Sequence, residues 1–427
     1  FLFLLVTILI LVALKRLLNK IQIFHPLVGF PLAFFVFFIL GTIDLIPDPG
    51  IWGFTLFKPM GVKIFTIWSV GLISYLIFYG LFCLMFSKKF NQSSQNQIKD
   101  TFRTSNIYTI SIILFAMGNV VYLYTISKFG IPILSLNVSE VRVTATSNGI
   151  LTTILLSSFW VASFLLFAMF LDEATTKAKK TVILSLIFVM FLEMYSLGNR
   201  GFIFQPGLVM MFMYYFIKKK IDFHKLMIAG MVMFVLFGYL GLQRNISQFG
   251  EAYKLQLIQW GFKEELLWIV PSYMYIRAPI STLRDVMEVI PFQINYQNGK
   301  QFFSPFLSLL PGSHESSDFF FKRILGHDFI GFGEPATLIG VFYSDLGIIG
   351  IIFGMAFIAF ISFITYKNME VKKTVESKIY YAYLLQVSFM SLYGSFFAYI
   401  ITLWIPILIG LCFLAGGLLS RKKVNSL

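Results

Sequence analysis

Apolar segments of helical length follow one another along this chain, separated by short polar breaks, with one long interruption at residues 243–335. The apolar runs fall at about 1–14, 22–42, 64–86, 106–127, 150–171, 182–198, 202–217, 226–242, 338–365, 379–398 and 400–420. Allowing for tilt and short ends, each has roughly the ~20 residues needed to cross ~30 Å of hydrocarbon. The pattern predicts an all-α polytopic membrane protein of about 11 transmembrane helices. Residues 1–242 form an N-terminal bundle of about eight spans, and residues 336–427 a C-terminal bundle of about three. The run 1–14 is short, and Lys15 and Arg16 follow it directly. A signal peptide carries its positive charges ahead of the apolar run, so this segment reads as a truncated or edge helix.

Inside the interruption, residues 249–270 read as a helix with a wet face (Glu251, Lys254, Lys263, Glu264), ended by Pro271. Residues 272–290 read as a second helix carrying Arg277, Arg284, Asp285 and Glu288, and Asn298-Gly299 marks a turn. Residues 302–310 are apolar but too short to span. Trp260, Trp268, Tyr273, Tyr275, Phe302 and Phe303 suit headgroup depth, where amphipathic aromatics accumulate, so the segment is expected to lie on a leaflet rather than stand off as a soluble domain.

Charge orients this ladder. The chain is 58% hydrophobic and 13% charged, with a net charge of +14. Alternate connections on one side hold 21 of the 34 basic residues and only six acids; the other side is nearly neutral. Short loops rich in Lys and Arg face the cytoplasm, which places 243–335 outside and the C-terminus inside. The basic balance is therefore a topology signal, and nucleic acid is not an expected partner. The inner loops contain no glycine-rich phosphate cradle. Cys83 and Cys412 both fall in apolar spans, so neither a disulfide framework nor a zinc site is indicated. No inverted repeat of the transporter kind is evident, because eight and three spans do not form matching halves.

Several ionisable residues cluster at the outer ends of spans. Arg200 sits in the tight turn Leu197-Gly198-Asn199-Arg200-Gly201, and Glu193 lies seven residues earlier, close to two helical turns, on the same face and within the membrane. An ionisable group at that depth is costly and usually paired or functional. Arg244 follows at the end of the eighth span, then Arg277 and Arg323 in the loop. Arginines converging on one membrane face suit a diphosphate, because the planar guanidinium meets phosphate oxygens two at a time. Candidate bases are His327, Glu334 and Asp345. Asp345 falls ~10 residues, about three turns, into a helix beginning near Ala336, so either that helix projects above the bilayer or Asp345 faces a wet cavity. His25 and His224 lie at cytoplasmic ends. No Asp-x-Asp on the outer face and no His/Cys/Glu set has metal-ligand spacing, so no metal or other cofactor is expected.

Three stretches resemble the Wzy-type polymerases of O-antigen and capsule, the oligosaccharide repeat unit polymerases. They are Gly198-Asn199-Arg200-Gly201; Asn295-Tyr296-Gln297-Asn298-Gly299-Lys300 running to Leu310-Pro311-Gly312; and Gly331-Phe332-Gly333-Glu334, continuing through Gly340-Val341-Phe342-Tyr343-Ser344-Asp345-Leu346-Gly347 to Gly350. The related O-antigen ligases place a histidine near the start of the helix that resumes the ladder, where this chain has Glu334-Pro335-Ala336-Thr337. That departure favours a polymerase over a ligase and leaves the base open among Glu334, Asp345 and His327. The resemblance implies a fold like the membrane glycosyltransferases of the C type and residence in the bacterial plasma membrane. It implies transfer of a glycan from undecaprenyl diphosphate to a hydroxyl of the next lipid-linked repeat unit. On this basis Arg200 and Arg277, supported by Arg244 or Arg323, would hold the diphosphate, and Tyr343 would contact sugar. Membrane lipid, a flippase and a chain-length regulator would be partners. A transporter or flippase for lipid-linked oligosaccharide, or an O-antigen ligase, is the alternative.

Overall fold

The computed structural model describes residues 24–42, 60–93, 104–135, 138–146, 149–218, 223–259, 261–307, 315–327, 333–394, 397 and 399–425. Among them all regular structure is helical. The helices are α1 (Gly29–Thr42), α2 (Val62–Ser93), α3 (Thr104–Phe129), α4 (Val138–Thr146), α5 (Gly149–Leu171), α6 (Lys177–Ser196), α7 (Gly201–Lys218) and α8 (Phe223–Phe249). They continue with α9 (Glu251–Gln259), α10 (Val270–Val289), the single turn α11 (Ser304–Leu307), α12 (Ser317–Ile324), α13 (Thr337–Lys372), α14 (Val375–Met390) and α15 (Ile400–Asn425). The predicted run 1–14 lies outside the described residues.

Among the described residues, five helices contain stretches long and apolar enough to cross a membrane: Val62–Phe86, Asn106–Leu134, Gly149–Leu171, Thr337–Lys372 and Ile400–Gly417. Gly29–Thr42 and Gly230–Gln243 are shorter apolar helices. α6 carries Lys177, Lys179, Lys180 and Glu193, and α14 has only 16 residues. Helix α5 is the axis of the bundle. Its apolar stretch is 83% buried, and it packs against α3, α6, α7 and α15. The outer helices instead show apolar residues at helical spacing on their free faces, such as Ile73, Ile77, Leu81 and Leu84 on α2 and Ile113, Met117, Val120 and Leu123 on α3. An apolar face directed away from the core suits hydrocarbon as its solvent.

The segment 243–335 differs from its expected form. Helix α8 runs on to Phe249, and α9 follows after Gly250, whose φ is +70°. Pro271 does not end a helix; it stands in the first turn of α10, where its missing N–H costs nothing and its fixed φ suits helix initiation. Nor does α10 rest on a leaflet. Fourteen of its residues, from Val270 to Met287, are buried, and it packs against α1, α8 and α13. Small residues allow this approach: a Cβ on Gly238 would meet the Trp268 carbonyl oxygen at 2.1 Å, and one on Gly241 would meet Pro271 at 2.6 Å.

Helix α13 is two helices joined at a break. Leu346 (φ −143°) and Gly347 (φ +65°, ψ −143°) are non-helical. The break resolves where Asp345 sits. It ends a short first segment, and the long apolar segment starts beyond it.

Candidate active site

Helix α10 organises the charged residues. Arg277, Ser281, Arg284 and Asp285 recur at the spacing of one helical stripe, and all four are buried. Arg277 is fully buried and donates from Nη1 to the Gly41 carbonyl oxygen at 2.7 Å. A guanidinium keeps its charge at any accessible pH, so this buried group is a permanent positive centre. Arg284 Nε donates to Asp285 Oδ1 at 2.9 Å, a pair with both side chains under one-tenth exposed. Arg284 and Asp285 were not expected to form part of the site. The i, i+7, i+8 spacing from Arg277 was the available signal, and in an amphipathic surface helix the same spacing would only mark the wet face.

Arg200 approaches the other end of α10. The Asn199 Oδ1 atom accepts from the Gly201 amide at 2.9 Å, which shapes the tight turn before α7. The Arg200 Nη1 atom lies 3.2 Å from where a Cβ on Gly241 would stand, beside Pro271. Arg200 thus packs on α8 against the start of α10, with Arg277 six residues along that helix, a rise of about 9 Å. Arg244 falls on α8 one turn past Gly241; its side chain lies outside the described residues. One carboxylate oxygen of Glu193 is buried without a hydrogen-bond partner.

Towards the end of α10 stand His327 and Glu334. His327 Nδ1 and Glu334 Oε1 are 2.5 Å apart, with side chains 23% and 13% exposed. The Glu334 amide donates to the Asp318 carbonyl oxygen at 3.0 Å, and the Asp318 carboxylate accepts from the Tyr399 hydroxyl. The glutamate is therefore held from α12 by its backbone and from His327 by its side chain. Burial raises Glu334 above the usual carboxylate range. His327 beside it opposes that shift, and Asp285 reinforces it. The Glu334 Oε2 atom is buried and has no hydrogen-bond partner.

Three expected site residues stand elsewhere. Arg323 is 64% exposed and forms a fork with Glu315, Nη2 to Oε2 at 2.9 Å and Nε to Oε2 at 3.1 Å, on the outer surface of α12. That geometry does not bring it to Arg200 or Arg277. Asp345 is buried, 3% exposed, rather than open to a cavity. Its two oxygens accept the backbone amides of Gln301 (3.0 Å) and Phe302 (2.9 Å), tying α13 to the turn after Asn298. Tyr343 is 4% exposed and donates to the Ile290 carbonyl oxygen at 3.3 Å, so its hydroxyl is engaged and its ring is covered. In front of that ring stands Lys63, whose Nζ lies 5.7 Å from the ring centroid, 5.4 Å from that of Phe292, and donates to the Met287 carbonyl oxygen at 3.0 Å.

Among the described residues no group of three or more His, Cys, Asp or Glu side chains is placed to hold a metal ion. No protein-family model matches the chain, and neither curated proteins nor solved structures give a match.

Proposed function

We propose that this chain is a membrane glycosyltransferase of eleven spans that polymerises oligosaccharide repeat units carried on undecaprenyl diphosphate. The reaction takes place at the outer face of the bacterial plasma membrane, with segment 243–335 outside and the C-terminus inside. The observation that carries the reading is the close contact of His327 and Glu334 beside a helix whose buried stripe holds Arg277 and Arg284. A carboxylate hydrogen-bonded to an imidazole fixes the ring's orientation and raises its basicity, the arrangement used to activate hydroxyl nucleophiles.

In this reading the acceptor hydroxyl loses its proton to the His327–Glu334 pair as its oxygen forms a bond to the anomeric carbon. The bond from that carbon to the diphosphate oxygen breaks, and its electron pair leaves with the lipid diphosphate. Negative charge on that oxygen grows along the way, so fixed guanidinium groups stabilise the transition state more than the bound substrate. Arg200 and Arg277 take this role, with Arg244 supporting. Glu334 fixes the imidazole. Asp345 and Arg323 serve structure instead, since amides and Glu315 already occupy them.

Purified protein supplied with lipid-linked repeat units should yield a ladder of products, and Arg200→Ala should lose the ladder at unchanged expression. Glu193, with its unpartnered oxygen, favours the second reading, movement of lipid-linked oligosaccharide without bond chemistry. That activity gives transport and no ladder.

A further inference from the structure

The proposed transferase still lacks a surface that holds the sugar, since Tyr343 is covered. We infer that Lys63, Phe292 and Tyr296 form a subsite for an anionic saccharide, a sugar bearing a carboxylate or phosphate, on the outer side of the Tyr343 ring. The inference rests on the transferase reading for the sugar's role as substrate, and on the following geometry for its binding.

Lys63 begins α2. Its ammonium has three donors, of which one meets the Met287 carbonyl oxygen at 3.0 Å. Met287 lies in the last turn of α10, where free carbonyls and the helix dipole favour a cation, so this bond orients the ammonium without neutralising it. Among the described residues no carboxylate pairs with Lys63, and the ring faces of Phe292 and Tyr343 complete its surroundings. Phe292 is 77% exposed, a large flat apolar surface beside a fixed positive charge. Tyr296 stands edge-on to Tyr343, with centroids 6.2 Å apart, and is half-buried. Burial and the neighbouring Tyr343 hold the Tyr296 hydroxyl above its ordinary range, against the opposing charge of Lys63, so it stays a neutral donor and acceptor.

This platform is firmly held. The Gln297 and Asn298 amides donate to the Ser344 and Asp345 carbonyl oxygens at 2.9 and 3.0 Å, and the Asp345 carboxylate takes the amides of Gln301 and Phe302. An aromatic face, a phenol and an ammonium with two unused donors match one class of ligand. The C–H face of a pyranose lies on Phe292, a ring hydroxyl meets Tyr296, and an anionic substituent reaches Lys63. A lipid phosphate would use the cation but not the exposed ring.

The full chain in zwitterionic nanodiscs, titrated with cellobiouronic acid, cellobiose, glucose 1-phosphate and glucose, tests this. At least one anionic probe is expected to bind more tightly than its neutral counterpart. Lys63→Met should weaken that probe about tenfold while leaving the neutral one unchanged. Lys63→Arg should keep the preference, and Phe292→Ala should weaken charged and neutral probes alike. Phe292 is exposed enough to be removed without unfolding, so it serves if Lys63→Met does not fold. Equal binding of charged and neutral probes by the native chain overturns the inference. So does a preference that survives in Lys63→Met, or a Lys63→Met effect confined to retention of anionic lipid. Binding is read without bond formation, so these outcomes judge the subsite alone, whereas a missing product ladder judges the transferase reading.

Discussion

Glu334 is caught between opposing influences: burial favours its proton, and His327 favours its charge. Burial wins, so the acid limb of kcat/KM in the native chain should lie above the ~4.3 of a free glutamate. Glu334→Gln should lower turnover by about 10²–10⁴, measured on lipid-linked repeats. Stability should carry the same signature. The native carboxyl binds its proton more tightly than the unfolded chain does, so the contribution of Glu334 is fullest below the unfolded pKa. It is lost as pH rises through the native value, and Glu334→Gln should flatten that slope in thermal denaturation. Residue type alone made Arg277, His327 and Glu334 legible as candidates, because ionisable groups are scarce in so apolar a chain. Partner identity was not legible. The same chemistry in Asp345 is spent on two backbone amides and in Arg323 on an exposed glutamate, and both outcomes depend on contacts across folds in the chain.

At the scale of elements, the break in α13 is the decisive feature. Gly347 combines φ +65° with ψ −143°, a region open essentially to glycine, and a Cβ there would stand 2.8 Å from the Tyr296 hydroxyl. Gly347→Ala should cost about 1–3 kcal/mol from backbone strain, with the collision added. Combining it with Tyr296→Ala should recover only the collision, a difference that a double-mutant cycle in denaturation measurements resolves. Asp345→Ala should cost about 2–5 kcal/mol by stranding two amides, and Asp345→Asn, which keeps one accepting oxygen, should cost less. Helix positions were legible where the apolar pattern was long. The break was not, because Leu346-Gly347 opens a long apolar run and glycine within a span is ordinary. Pro271 misled for a similar reason, since a proline that stops one helix and a proline that starts the next look alike in sequence.

For the whole molecule, the sided distribution of lysine and arginine sets the expected orientation. In intact cells Phe292→Cys should react with a membrane-impermeant thiol reagent, whereas Asp172→Cys should react only after the cells are opened. Labelling of both, or the reverse order, would refute the assigned sidedness. The apolar ladder made a helical membrane bundle legible, but not the burial of α10 within it. A buried arginine-bearing helix and a surface amphipathic helix share one periodicity, and they differ only in what later covers them. That cover comes from far along the chain. Arg277 bonds the carbonyl of Gly41, 236 positions earlier, and its helix is also packed by α13, which is synthesised afterwards. A fragment ending before residue 337 would keep the Gly41 bond but leave α10 without the cover of α13. The cover of α10 is therefore completed from both ends of the chain, and a chain truncated before residue 337 is expected to unfold more readily than the whole.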